Sequence, residues 1–469
     1  MTLSGDICYR ALTTRDRRFD GVFFVGVKST GIYCRPVCTA KTPRRGHCLF
    51  FESAPLAERG GFRPCLRCRP ELAPGYAPVD QNNSVARVVA DRIEAGALNA
   101  EGRLDDLADS FGLSARQLRR IVRHELGVSP IELAQTNRLL LAKRLIAETN
   151  LPLTRIAFAA GFDSVRRFNA LFRSHYRLTP GELRRSTAAP AATEMLRLIL
   201  AYRPPFDWPA LLTFLAARAI PGVECVCDDA YLRTIDLLGH RGWIRVSSAP
   251  DRPELAVELA TELLPVLPAI LVRLRRLFDL DARPDLIAEH LQRDAALAPL
   301  VERHPGLRVP GAFDPFELSL RAILGQQVSV RAASTLAGRL AGQFGEPIET
   351  PFPCLNRLTP TADAIAASPP NGLTAIGLPQ SRAEAVRSFA VAIARRELDL
   401  ESCPDLASVT ARLLEQPGIG PWTAEYIAMR ALHWPDAFPT GDLGLKKALQ
   451  VTSARDVQQA AEQWRPWRA

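Results

Sequence analysis

Four thiols carry the clearest chemistry in this sequence. Cys34 and Cys38 are separated by three residues, Cys65 and Cys68 by two, and 26 residues lie between the pairs. Each pair forms a tight loop that can aim two sulfurs at one tetrahedral ion, and zinc is the ion such a donor set fits. A disulfide framework fits less well. The other six cysteines (Cys8, Cys48, Cys225, Cys227, Cys354 and Cys403) are scattered, and the N-terminus lacks a secretory apolar core, so a reducing compartment is expected. The residues alone leave two roles open: a zinc staple for a small domain with little core, or a zinc-activated nucleophile. A second centre lies near the C-terminus, where Gln416-Pro417-Gly418-Ile419-Gly420-Pro421-Trp422 reads as a glycine-bounded hairpin entering a helix. Its amides form an anion site suited to a DNA phosphate, at Gly418 and Gly420. About twenty residues on, Asp442 stands where it can cap a helix and present a carboxylate to a cleft.

At 469 residues the chain is long enough for about three domains. Its most apolar run, Leu263 to Val272, is short and holds two prolines, so no membrane span is expected. The net charge of +9 is uneven: residues 1–187 carry 30 Lys+Arg against 18 Asp+Glu, residues 188–469 carry 29 against 32. A basic front half suits a polyanionic partner. Arg35, Lys41, Arg44, Arg45, Arg63, Arg67 and Arg69 are expected to surround the four thiols as a cationic cluster. Connectors are expected at Pro70–Asn83 and Ser186–Thr193.

Between them the chain repeats itself. Leu107, Ala108, Gly112 and Ser114 recur 49 residues on as Ile156, Ala157, Gly161 and Asp163. After a one-residue insertion Leu118, Ile121, Val122, Leu126 and Pro130 recur as Phe168, Leu171, Phe172, Tyr176 and Pro180, the spacing of one apolar helix face. Each copy reads as helix, glycine turn, helix, with Ser114 and Asp163 expected as N-caps of two recognition helices. A rigid connector is expected over Ile131–Thr149. The exposed faces would offer Arg116, Gln117, Arg119, Arg120 and Arg123, then Ser164, Arg166, Arg167, Asn169 and Arg173, types suited to base edges and phosphates.

Three family resemblances follow from these residues. Phe24-Val25-Gly26-Val27-Lys28-Ser29-Thr30-Gly31-Ile32-Tyr33-Cys34-Arg35-Pro36-Val37-Cys38 and Phe62-Arg63-Pro64-Cys65-Leu66-Arg67-Cys68 resemble the Ada-type adaptive-response regulators. That likeness implies that Cys34 irreversibly takes a methyl group from a methylated DNA phosphate while Cys38, Cys65 and Cys68 stay zinc thiolates, one Zn(2+) per chain. Loss of one negative charge would then tighten DNA binding. The tandem repeat, with its closing Leu178-Thr179-Pro180-Gly181-Glu182-Leu183-Arg184, resembles the AraC-type DNA-binding domain and implies transcription activation.

Pro204-Pro205-Phe206-Asp207-Trp208, Arg321-Ala322-Ile323-Leu324-Gly325-Gln326-Gln327-Val328-Ser329 and the hairpin resemble the AlkA-type 3-methyladenine DNA glycosylase II family. By position, the likeness makes Asp442 the catalytic carboxylate, Phe214, Trp422 and Tyr426 the lining of an aromatic pocket for a flipped base, and Gln327 a polar residue where the family has an apolar wedge. Trp422 stands where lyase-type relatives have lysine, so strand cleavage through a Schiff base is not expected. The last residues, Trp464–Ala469, fall where the family continues through a helix bearing a further pocket aromatic.

The expected fold is multidomain and mainly α: a small α/β zinc domain (1–78), a tandem helix-turn-helix domain (84–186), an α+β glycosylase lobe (195–310) and an all-α helix-hairpin-helix glycosylase core (311–469). The expected function joins methyl transfer to Cys34 and transcription activation to excision of alkylated bases such as 3-methyladenine. The rival is a DNA-binding regulator with structural zinc and an inactive glycosylase-like domain. The implied partners are double-stranded DNA, alkylated and promoter, and RNA polymerase. A monomer, cytoplasmic and nucleoid-associated, is expected.

Overall fold

The computed structural model describes residues 3–73, 85–100, 102–186, 195–249, 252–369, 371–401 and 406–469. Most of both expected connectors, and Cys403, lie outside these residues. The chain divides into two units, residues 1–204 with 249–272 and residues 205–248 with 273–469. The segment expected as one lobe, 195–310, is shared between them.

The first unit begins with a four-stranded sheet in the order β3-β1-β2-β4. Strand β1 (Phe24–Val27) is antiparallel to β2 (Ile32–Cys34) and β3 (Cys48–Phe51), whereas β2 runs parallel to β4 (Arg63–Pro64). Alternation along β1 builds two small cores: Val25 joins Cys8, Leu12, Phe23 and Cys48, and Phe24 joins Tyr33, Ala57 and Phe62. Neither is large, so a metal staple has a structural part to play.

The tandem reader follows as anticipated in outline. Its first recognition helix (Ala115–Leu126) is capped by Ser114, and Gly112 takes the left-handed turn before it at φ +65°. The second (Val165–Tyr176) follows Gly161 at φ +90° and is capped by Ser164, whose hydroxyl accepts from Arg167 N. Asp163 is therefore not the cap expected of it; it lies 3.4 Å from Arg167 Nη1 instead. Leu118 and Val122 are buried on one helix and Phe168, Phe172 and Tyr176 on the other. Phe162, Phe168, Phe172 and Tyr176 form a chain of rings with centroids 5.2, 5.5 and 4.5 Å apart. The connector helix runs Pro130–Glu148 and opens with a Ser129–Glu132 capping box.

A buried polar network fastens the zinc module to that connector. Lys143 Nζ, nearly inaccessible, donates to Cys65 O at 3.1 Å and pairs with Glu71 at 2.6 Å. Arg69 binds Glu71 (3.2 Å) and Glu148 (2.5 Å), and Arg144 completes the set on Glu148 at 3.3 Å. Nearby, Glu58 accepts from Tyr33 Oη (3.0 Å) and Thr136 Oγ1 (2.7 Å). Burying charges costs several kcal/mol each unless every charge is answered, and here each has a partner. Strand β5 (Leu196–Ala201) pairs antiparallel with β9 (Glu254–Leu259) in this unit.

The second unit contains an antiparallel meander, β6 (Glu224–Cys227), β7 (Ala230–Leu237) and β8 (His240–Ser248), and an all-helical body. Helices Pro315–Leu324, Gln380–Ala394, Leu406–Leu414 and Pro421–Arg430 bury Ile323, Val386, Phe389, Leu413 and Ile427 together. One sequence expectation is corrected here: Cys225 and Cys354 are not scattered but disulfide-bonded across 129 residues of chain. Backbone bonds from Asn356 N and Arg357 N to Gly222 O, both 2.9 Å, bring the two segments together. No helix among the described residues is long and apolar enough to cross a membrane.

Two stability outcomes are expected. Gly161→Ala adds a Cβ 2.2 Å from Asn99 Cγ at a positive φ, whereas Gly112→Ala adds one in open space. In urea denaturation of the full chain, Gly112→Ala should cost about 1 kcal/mol and Gly161→Ala clearly more; equal midpoints would contradict the packing described. Lys143→Met leaves Glu71 with Arg69 alone, and the loss should be about 3 kcal/mol in the same assay, an unchanged midpoint being the contrary result.

Candidate functional site

The parallel register of β2 with β4 creates the metal centre. Tyr33 pairs with Pro64, so the next residues, Cys34 and Cys65, leave the sheet side by side, and Cys65 N donates to Tyr33 O at 3.0 Å. A turn closed by Cys38 N on Arg35 O returns the second thiol. The four Sγ atoms lie within 4.8 Å of one another, against an edge of about 3.8 Å for a tetrahedron with Zn–S bonds near 2.3 Å. Four thiolates share that volume only around a cation. The donor set fits one zinc ion, and Cys34, Cys38, Cys65 and Cys68 are its ligands.

The four sulfurs differ in what donates to them. Arg35 N donates to Cys68 Sγ at 3.3 Å. Backbone amides at Ala40 and Cys68 serve Cys38 and Cys65. An N–H donor withdraws electron density from a thiolate, so the Arg35 amide moderates the Cys68 sulfur. The cationic surround is smaller than expected. Arg35 is held by Asp20, and Arg69 by Glu71 and Glu148, so both charges are spent inside the fold. Lys41, Arg44, Arg45 and Arg67 are exposed and Arg63 is half-buried.

On the recognition helices Arg116, Arg119, Arg120 and Arg123 are exposed, as are Arg166, Arg167, Asn169 and Arg173. Gln117 is exposed too, but its Oε1 accepts from Ser114 N (2.9 Å) and Ser114 Oγ (2.8 Å) in a capping box. That engagement competes with base contact.

In the second unit the hairpin enters the helix Pro421–Arg430 through Gly418 (φ +77°) and Gly420, both exposed, with buried Ile419 as the anchor. A Cβ at Gly418 would stand 2.6 Å from Ala385 Cβ, so the close approach demands glycine. Asp442 caps the helix Leu443–Ala448: Oδ1 accepts from Gly444 N (2.7 Å) and Leu445 N (3.2 Å), and Oδ2 from Trp422 Nε1 (2.9 Å). Trp422 stacks on Tyr426 at 5.2 Å and 13°. Arg430 Nη1 donates to Tyr426 Oη at 2.5 Å, and its Cζ lies 4.8 Å from the Phe214 ring. Asp442, Trp422, Tyr426 and Phe214 thus form one connected site. Gln327 is exposed at φ +56° in the loop before the helix Val330–Phe344. Gln326, not singled out from the sequence, ties this loop to the hairpin through Gly418 O (2.8 Å) and Thr423 Oγ1 (3.0 Å). Arg430 was missed as well; an arginine four residues after a pocket tyrosine, on one helix face, was the available signal.

Four family models match successive parts of the chain: the metal binding domain of Ada (residues 7–71), a helix-turn-helix domain (107–186), the AlkA N-terminal domain (197–314) and the HhH-GPD superfamily of base excision DNA repair proteins (320–465). The chain is 38% identical to a probable bifunctional transcriptional activator/DNA repair enzyme AlkA of Mycobacterium tuberculosis, over 98% of this chain and 94% of that one. It is also 38% identical to DNA-3-methyladenine glycosylase 2 of Escherichia coli, over 58% of this chain and 93% of that one. A solved 3-methyladenine DNA-glycosylase from Archaeoglobus fulgidus shares the fold, with a TM-score of 0.51 at 24% identity over 57% of this chain and 93% of that one. With its zinc-binding, helix-turn-helix and helix-hairpin-helix parts in the same order along nearly the whole length, the chain belongs to the family of bifunctional AlkA transcriptional activator/DNA repair proteins.

Proposed function

We propose that this chain repairs alkylated DNA in two ways: by taking a methyl group from a methyl phosphotriester onto Cys34, and by releasing damaged bases at the Asp442 pocket. The first step couples to transcription activation through the tandem reader. What chiefly supports the acceptor role is the convergence of the four sulfurs within 4.8 Å of one another, in a segment that matches the metal binding domain of Ada.

Bound zinc keeps the four sulfurs as thiolates at neutral pH. Cys34 Sγ then attacks the methyl carbon in line. An S–C bond forms, the C–O bond breaks, and the phosphodiester leaves with the electron pair. Cys34 becomes a neutral thioether, so the module loses one negative charge close to the phosphate backbone. Exposed Lys41, Arg44, Arg45 and Arg67 then act on DNA with less opposition. The network through Cys65 O, Lys143 and Glu71 holds the reacting loop on the connector helix, which orients both recognition helices.

In the second unit, hairpin amides at Gly418 and Gly420 suit a backbone phosphate, and Gln327 suits the gap left by an extruded nucleotide. The glycosidic bond breaks with its electron pair going to the departing base. Asp442, oriented by Trp422 Nε1 and two helix amides, stabilises the positive charge developing on the sugar and receives a proton from the water that adds there. Trp422 supplies no amine, so the chemistry ends at base release.

Two outcomes test this reading. After incubation with methyl phosphotriester DNA, peptide mapping should find one methyl group, on Cys34; label elsewhere, or none, would leave the zinc centre structural. Asp442→Asn should lower single-turnover release of 3-methyladenine by about a hundredfold or more, whereas equal release by both proteins would make the pocket a DNA-binding module only.

A further inference from the structure

Three parts of the second unit meet at one side-chain amide. The helix Pro315–Leu324 ends at Gly325, and only Gln326, Gln327 and Val328 separate that cap from Ser329, whose Oγ accepts from Ala332 N (3.2 Å) at the start of the helix Val330–Phe344. Within this short turn Gln326 reaches toward the hairpin. Its Nε2 donates to Gly418 O at 2.8 Å and to Thr423 Oγ1 at 3.0 Å, on the helix that the hairpin enters. Its own carbonyl accepts from Arg382 Nη2 at 2.6 Å, and Arg382 lies in the helix Gln380–Ala394, whose Ala385 crowds the Gly418 position. One residue on, Gln327 is exposed at φ +56°, a left-handed conformation that a residue with a Cβ keeps only where its neighbours impose it.

The turn carries the residue suited to the gap left by an extruded nucleotide, and the hairpin carries the amides suited to a backbone phosphate. Both must engage one duplex. Their separation therefore decides whether the gap-filling side chain reaches the base stack once the phosphate is seated, and a misplacement of about 1 Å can cost on the order of a hundredfold in rate. Gln327 and Val328 both face solvent, so packing does not hold the tip of the turn. The Gln326 amide supplies the hold, with Arg382 fastening the turn's carbonyl from the other side. A glutamine suits the task because one nitrogen brings two N–H donors to a carbonyl and a hydroxyl, whereas the carboxylate of a glutamate would bring none.

We propose that Gln326 is a positioning residue for nucleotide extrusion, a clamp that fixes the gap-filling turn at a set distance from the phosphate-binding hairpin. The proposal rests on the base-excision reading given above. Gln326 acts through Gln327 rather than on the base, so its loss slows the step in which the nucleotide is held out of the stack and leaves the grip on undamaged duplex intact.

Single-turnover release of 3-methyladenine by the full chain, followed over a range of protein concentrations, separates the maximal rate from the half-saturating concentration. Gln326→Ala should lower the maximal rate about tenfold or more, while the half-saturating concentration and the affinity for undamaged duplex stay within about twofold of wild type. Thr423→Val, close in shape and keeping only the bond to Gly418 O, should act in the same sense by less, and it serves if the alanine variant does not fold. Introduced into Gln327→Ala, Gln326→Ala should add no further loss, because the two residues act as one unit. A maximal rate unchanged in both single variants, a loss confined to the half-saturating concentration, or losses from the two alanine substitutions that multiply would each overturn the proposal and leave the excision reading standing. Release by the wild-type chain no greater than by Asp442→Asn would overturn that reading and this proposal with it.

Discussion

Four sulfurs confined within 4.8 Å of one another are the constraint on which the first unit depends. Like-charged donors this close are stable only around a cation, so the loops that carry them, two short cores and a parallel strand pair cannot hold their arrangement independently of the ion. The same confinement bears on the proposed chemistry: a centre that holds excess negative charge on sulfur would shed one charge if one of its thiolates became a thioether. Arg35, through its amide to Cys68 Sγ and its side chain to Asp20, shows how closely the surrounding fold is built to the centre.

A second constraint ties the zinc module to the reader. Lys143, Glu71, Arg69, Glu148 and Arg144 are charges within the fold that share partners, and the zinc-site loop and connector helix each supply some of them. Moving one element without the other would strand a charge in a poorly solvated interior. The zinc module and the tandem reader are therefore joined by ionic registration as well as by apolar packing.

Much of this was legible in the sequence because the relevant signals are local. Ligand spacing fixed the four thiols, the 3.6-residue period with glycine turns fixed the two reader copies, and the Pro-Gly-Ile-Gly hairpin with Asp442 marked the second centre. What stayed hidden depends on contacts between distant residues. Ser164 rather than Asp163 caps the second recognition helix because the helix begins one residue later than the repeat suggested. Arg35 and Arg69 look like free cations in sequence but meet Asp20, Glu71 and Glu148 only after folding. Gln117 has the composition of a base reader and acts as a cap. Cys225 and Cys354 meet across 129 residues, a separation no local pattern encodes. In the pocket, Phe214, Trp422 and Tyr426 were nameable from family likeness, whereas Arg430, which lies against the Phe214 and Tyr426 rings, was not.

The central claim is a division of labour in which one sulfur reacts and three continue to hold the ion. Native mass spectrometry of the full chain after exposure to methyl phosphotriester DNA tests it most directly. The account predicts a species heavier by one methyl group that still carries one zinc ion. A methylated chain that has lost its zinc, or a zinc-bound chain that never gains the methyl group, would contradict it.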